Sequence, residues 1–105
     1  MPIVYVNSLQ ELFDLIATGV KLVVDFKAAW CEPCKMMAPL FQRLAQEHAD
    51  VSFVTVDMDE VPEIAREFSI MSMPTFKLFA KGDAVDEVVG ANTYLLETSV
   101  RRLAG

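Results

Sequence analysis

Hydrophobic and polar positions in the first third of the chain switch between strand-like and helix-like spacing. A short apolar run over residues 3–6 predicts a strand. Apolar residues then recur every three or four positions over residues 9–16, which predicts a helix. Ser8 precedes this helix and Glu11 follows three residues later, the spacing of a capping box. The apolar run Leu22–Phe26, interrupted by one acid, predicts a strand buried on both faces.

The same switching continues to the end of the chain. Helical spacing over residues 36–44 predicts a second helix, which Pro39 should kink rather than end, because the apolar period resumes beyond it. The remaining predicted elements are a strand over 52–56, a helix over 61–68, strands over 75–79 and 85–89, and a helix beginning at Asn92 or Thr93. Lys81-Gly82-Asp83 predicts a hairpin turn between the last two strands.

The resulting order is β-α-β-α-β-α-β-β-α. Alternating strands and helices require crossover connections and therefore a parallel core sheet, to which the final hairpin adds an antiparallel edge. We expect an α/β fold with a central mixed sheet of five strands flanked by four helices. Residues 1–105 show no repeat, linker or low-complexity segment, and we expect a single domain.

Composition and charge narrow the classes of function. Hydrophobic residues make up 53% of the 105 positions, enough for a core without stabilising disulfides. The formal net charge of −6 argues against nucleic acid and anionic membranes as partners. No apolar window approaches the length of a membrane span. The N-terminus lacks the charged and apolar regions of a signal peptide, so we expect a cytoplasmic, reducing location.

Two cysteines, Cys31 and Cys34, are the strongest chemical signal. A structural disulfide between positions so close in sequence would remove little entropy from the unfolded chain. A zinc site would need about four ligands, and His48 is the only other soft candidate, so we expect no metal. The spacing therefore favours redox chemistry at the sulfurs.

The predicted elements give these two cysteines different roles. Cys31 follows a buried strand and stands at the start of the second helix, where Pro33 suits the first turn. The free N–H groups and the positive end of the helix dipole there favour a thiolate at Cys31. Cys34 lies on the same helix face, and we expect it to be less exposed. Cys31 would attack a substrate disulfide, and Cys34 would then resolve the mixed disulfide.

Two residues near the cysteines have competing interpretations. Asp25 lies inside an apolar strand, so its pKa should be raised, which suits proton transfer to or from a thiol. The alternative is a structural acid that is hydrogen-bonded at the strand end. Trp30 either belongs to the core or forms a partly exposed contact surface beside the reactive loop.

The segment Trp30–Lys35 resembles the active-site motif of the thioredoxin family, and Met73-Pro74-Thr75 resembles the family's cis-proline segment. Further similarity covers Asp25-Phe26, Pro39, Phe79–Gly82 and Val89–Asn92. The resemblance implies the thioredoxin fold, protein disulfide reduction and a part in electron transport and cell redox homeostasis. It also implies that no cofactor is bound and that a thioredoxin reductase recycles the chain with electrons from NADPH. We expect a monomer.

The same resemblance assigns roles residue by residue. Cys31 resembles the attacking thiol, Cys34 the resolving thiol, and Asp25 the buried acid that exchanges a proton with Cys34. The Met73–Pro74 bond resembles the cis peptide beside the dithiol, where the Met73 backbone would pair with an extended substrate. The walls of the docking groove are implied to be Trp30, Gly90 and Ala91.

Three positions depart from the commonest family pattern. Glu32 replaces the usual glycine, and its negative charge should disfavour the Cys31 thiolate. Thr55 stands where bacterial members often carry a lysine facing the buried acid. Lys27, two residues along the strand from Asp25 and hence on the same face, either substitutes for that lysine or alters partner choice.

Other activities remain compatible with these features. The chain could be a relative specialised for one pathway, or an oxidant or isomerase. Pro33, rather than histidine, before Cys34 favours a reductant. A redox-sensitive binding module, with the dithiol as its switch, is a further alternative.

Overall fold

Strands and helices follow one another in the predicted order along the part of the chain that the structure describes. The structure is a computed structural model that describes residues 3–105, so the first two residues of the predicted domain lie outside it. The elements are β1 (Val4–Val6), α1 (Leu9–Ala17), β2 (Leu22–Lys27), α2 (Glu32–Glu47), β3 (Ser52–Asp57), α3 (Pro62–Glu67), β4 (Thr75–Ala80), β5 (Asp83–Val89) and α4 (Thr93–Ala104).

The five strands form one mixed sheet in the order β1-β3-β2-β4-β5. β3 pairs in parallel with β1 and β2, while β4 runs antiparallel to both β2 and β5. The parallel core and the antiparallel hairpin edge are as predicted. β4 runs antiparallel to β2 although α3 separates it from β3 along the chain.

Helices cover both faces of the sheet. One core packs α2 and α4 against the face that carries Val23 and Phe76. The other packs α1 and α3 against the face that carries Val24 and Phe26. Since successive side chains of a strand point to opposite faces, β2 is buried on both, which explains its continuous apolar run. None of the helices within residues 3–105 combines the length and hydropathy needed to cross a membrane.

Local signals define the ends of several elements. Ser8 caps α1, where its Oγ accepts the Glu11 N–H at 3.1 Å. α2 continues through Pro39 to Glu47. Asn92, rather than Thr93, caps α4, with its Oδ1 accepting the Leu95 N–H at 3.0 Å. Because Asp83 already pairs with Ala80, the hairpin turn has only two residues, Lys81 and Gly82. Both have a positive φ, as is favoured in two-residue hairpin turns.

Candidate active site

Cys31 and Cys34 lie where β2 gives way to α2, and they are joined by a disulfide with a Cα–Cα distance of 5.3 Å. Cys31 is the N-cap of α2, and its Sγ accepts the Cys34 N–H at 3.2 Å. Pro33 is the second residue of the helix, where its missing N–H leaves no bond unmade. The sequence prediction of a cysteine at the helix start therefore matches the geometry.

The two cysteines are covered to the same extent, with exposed fractions of 3% for Cys31 and 4% for Cys34. The prediction that Cys34 would be the less exposed residue is therefore wrong for this disulfide-bonded form. The bond holds both residues in one apolar cluster with Ala28, and Met73 packs against that cluster.

Asp25 is buried in the centre of β2, with an exposed fraction of 5%. Its register partners are Thr55 on β3 and Phe76 on β4, neither of which carries a charge. Within residues 3–105, no group forms a hydrogen bond to its Oδ1 atom. Burial raises the pKa of Asp25 from 3.8 to about 7, and the positive charge of Lys27 opposes that rise. The raised pKa agrees with the sequence prediction for a carboxyl inside an apolar strand.

Lys27 ends β2 and is half-buried. Its Nζ lies 5.8 Å from the centre of the Tyr5 ring, a cation–π distance. A cavity of about 290 Å³ is lined by Lys27 together with Cys34 and Lys35. Lys27 therefore shares a cavity with Cys34, and its positive charge acts on Asp25.

Three further segments carry the residues that the family resemblance assigns to the docking groove, and of these Met73 packs against the disulfide cluster. Met73 precedes Pro74 through a cis peptide bond. The Gly90 N–H donates to the Pro74 carbonyl oxygen at 2.8 Å, which joins the segment before β4 to the segment after β5. Ala91 follows Gly90 and is exposed, as is Trp30 beside Cys31, whose exposed fraction is 65%. The exposure of Trp30 excludes the core interpretation.

Glu32 is the first residue of α2 and projects into solvent. Its Oε1 lies 3.2 Å from the Nζ of Lys35, so its negative charge has a cationic neighbour. This pair was not predicted, although the spacing of three residues on a helix would have indicated it. The packing of the Met73 side chain against the disulfide was not predicted either, because no local pattern signals it.

The geometry offers no support for a metal at the cysteines. His48 caps the opposite end of α2, about 24 Å along the helix from Cys31. Within residues 3–105, no three His, Cys, Asp or Glu side chains are grouped so that they could hold an ion.

Comparisons with known proteins agree on one family. The thioredoxin family profile matches residues 4–102. Human thioredoxin is 44% identical over 98 residues, covering 92% of this chain and 91% of its own. Mitochondrial thioredoxin-3 of Saccharomyces cerevisiae is 44% identical over 97 residues, covering 92% of this chain and 76% of its own.

Solved structures give the same result. Malassezia sympodialis thioredoxin superposes with a TM-score of 0.93 at 34% identity, covering 100% of this chain and 96% of its own. A structure described in work on thiol resolution in the yeast mitochondrial 1-Cys peroxiredoxin has a TM-score of 0.91 at 42% identity, covering 95% of this chain and 94% of its own. The chain also carries a cysteine pair at disulfide distance at the start of α2. It belongs to the thioredoxin family and is a dithiol protein-disulfide oxidoreductase.

Proposed function

We propose that this chain reduces protein disulfides with Cys31 as the attacking thiol and Cys34 as the resolving thiol. The observation that carries this assignment is the contact between the Cys31 Sγ and the Cys34 N–H at 3.2 Å. At the start of a 16-residue helix, unpaired N–H groups and the helix dipole stabilise an anion at Cys31. A stabilised thiolate is both the attacking species and the better leaving group.

The proposed reaction transfers two electrons to the substrate. The Cys31 thiolate attacks one sulfur of a substrate disulfide, the substrate S–S bond breaks, and the second substrate sulfur leaves as a thiolate. Cys34 then loses its proton and attacks the Cys31 sulfur, which releases the first substrate sulfur. The chain ends with the Cys31–Cys34 disulfide, and the substrate ends with two thiols.

Asp25 is the proposed acceptor of the Cys34 proton. A carboxyl with a pKa of about 7 exchanges protons readily near neutral pH, which an ordinary aspartate does not. Its Oδ1 accepts no hydrogen bond from any group within residues 3–105. Lys27 is the proposed tuning residue, because its charge favours the ionised form of Asp25. Glu32 and Pro33 are the other residues proposed to tune the reactivity of the Cys31 thiol.

The substrate is proposed to lie across the exposed surface around the disulfide. Met73 would offer its backbone to an extended substrate segment, beside Pro74 and the linked Gly90. The exposed side chains of Trp30 and Ala91 would form the walls on either side. This arrangement suits protein substrates of varied sequence, since backbone pairing does not depend on side chains.

Recycling would use a thioredoxin reductase and NADPH, with no cofactor bound to the thioredoxin itself. We place the chain in the cytoplasm as a monomer. A mitochondrial relative at 44% identity makes a mitochondrial location the competing hypothesis. Fractionation of cells that carry a tagged full-length protein, with size-exclusion chromatography of the purified chain, tests location and oligomeric state.

The experiment for activity is insulin disulfide reduction coupled to NADPH oxidation by a thioredoxin reductase. Wild type should turn over, whereas Cys31→Ser and Cys34→Ser should not. Cys34→Ser should accumulate a mixed disulfide with the substrate through Cys31, visible by mass spectrometry under non-reducing conditions. Turnover by Cys31→Ser would overturn the role assignment. A partner that remains bound to the double Cys→Ser variant, without turnover by wild type, would instead support a binding module.

A further inference from the structure

Three methionine side chains from two separate segments line one cavity beside the disulfide. Met58 lies in the turn that follows β3, while Met71 and Met73 lie in the segment before β4. Together they line a cavity of about 90 Å³. Because Met73 also packs against the Cys31–Cys34 cluster, this cavity adjoins the redox centre.

The chemistry of three thioethers is distinctive. Thioether sulfur is a soft ligand that selects soft monovalent cations such as copper(I) over magnesium or calcium. A thioether carries no proton, so it binds a metal without a deprotonation step and in either redox state of the neighbouring cysteines. A cavity walled by Met58, Met71 and Met73 therefore presents a ligand set that hard cations would not use.

The three side chains differ in freedom, since two pack in the protein and one is exposed. Met58 is 6% exposed and is held in the core, and Met73 is partly buried. Met71 is 91% exposed, so it contributes little to packing. Its long unbranched side chain can swing to close a site whose other two sulfurs are already held.

The surrounding charge also favours a cation. Met58 stands within an acidic turn formed by Asp57, Asp59 and Glu60, in a chain with a net charge of −6. One of these carboxylates is engaged locally, since the Asp57 Oδ1 accepts the Asp59 N–H at 2.8 Å. The turn still supplies a negative potential beside a neutral ligand set, which raises the local concentration of cations.

We propose that Met58, Met71 and Met73 form a binding site for one soft monovalent cation of the copper(I) class. The site is separate from the dithiol and requires no electron transfer. A bound ion would connect the turn after β3 to the segment before β4, and so would restrain Met73 beside the disulfide.

Silver(I) is the probe for the test, and the disulfide-bonded full-length chain is the sample, because it offers no thiol. With the methionine ε-methyl groups labelled with ¹³C, silver(I) is added in chloride-free buffer. The resonances of Met58, Met71 and Met73 should shift together with a common midpoint. Met36, 72% exposed on α2, is the matched control and should not shift at those concentrations. Equal midpoints for Met36 and Met71 would overturn the proposal.

Variants separate the site from general sulfur affinity. Met71→Leu removes one ligand at an exposed position and should weaken silver(I) binding by about tenfold or more. Substitution of residues that only support a metal ligand already causes an affinity loss of that size. Met36→Leu should leave the affinity unchanged. Binding should persist in the double variant Cys31→Ser/Cys34→Ser. Loss of binding there, or wild-type affinity in Met71→Leu, would refute the methionine site.

Discussion

Replacing Lys27 with methionine should raise the pKa of Asp25 further and slow the step that deprotonates Cys34. Burial raises the Asp25 pKa to about 7, and Lys27 is the group whose charge opposes it. The register partners Thr55 and Phe76 are uncharged, so neither can replace that effect. Methionine keeps a similar length and apolar stem, so the substitution removes mainly the charge.

The size of the effect follows from the strand geometry. Same-face neighbours two residues apart on a strand lie roughly 7 Å apart. At an effective dielectric constant of about 20, unit charges at that distance interact by roughly 2 kcal/mol. Solvent screens the half-buried Lys27, which reduces this to about 1.4 kcal/mol, or tenfold in the protonation equilibrium. The Asp25 pKa should therefore rise to about 8, and its ionised fraction at pH 7 should fall from about a half to about a tenth.

The Asp25 carboxyl can be titrated directly by ¹³C NMR of aspartate-labelled, disulfide-bonded protein. In parallel, the resolution rate of a Cys31 mixed disulfide is measured against pH by stopped flow. We expect Lys27→Met to slow resolution about fivefold at pH 7 and to move its pH profile upward by the same amount as the carboxyl titration. Lys27→Arg keeps the charge and should behave as wild type, and Lys81→Met, in the distant exposed hairpin turn, is the control. An unchanged or lowered Asp25 pKa in Lys27→Met would refute the reasoning.

Three further predictions follow from the same structure. Between about pH 4 and pH 7 the folded chain holds a proton on Asp25 that the unfolded chain has lost. The contribution of Asp25 to the free energy of unfolding therefore falls as pH rises across that window and stays constant above it. Asp25→Asn should therefore raise the free energy of unfolding at pH 8 by up to about 4 kcal/mol and change it little at pH 4, as measured by urea denaturation of the disulfide-bonded form. Glu32→Gly should lower the pKa of the Cys31 thiol in the reduced protein, because it removes a nearby negative charge. The decrease should be slight, because the adjacent Lys35 already offsets that charge. Thiolate absorbance measured against pH checks this, and a higher pKa of Cys31 would contradict it. Ser8→Ala removes the cap of α1 and should cost about 1 kcal/mol in urea denaturation, whereas no loss would mean that the bond to the Glu11 N–H contributes nothing.

Local patterns were sufficient to predict the elements and the start of the active-site helix. The period of apolar residues depends on which face of each segment is buried, and β2, α2 and the Ser8 cap follow that rule closely. The place of Cys31 at the start of α2 needed only the strand before it and the helical spacing after it. The raised pKa of Asp25 followed from a carboxyl within an apolar run.

The tertiary structure decided what lies across from these local features. Equal burial of Cys31 and Cys34 depends on the apolar cluster that encloses both, with Met73 packed against it from about forty residues away. The sheet order β1-β3-β2-β4-β5 determines which segments are neighbours. It thereby allows the hydrogen bond between the Gly90 N–H and the Pro74 carbonyl oxygen, and the cavity that Met58 and Met71 share. By itself, the sequence determined the strands, the helices and the dithiol at a helix start. It could not determine these long-range contacts, because apolar periodicity records which side of an element is buried and not which residues bury it.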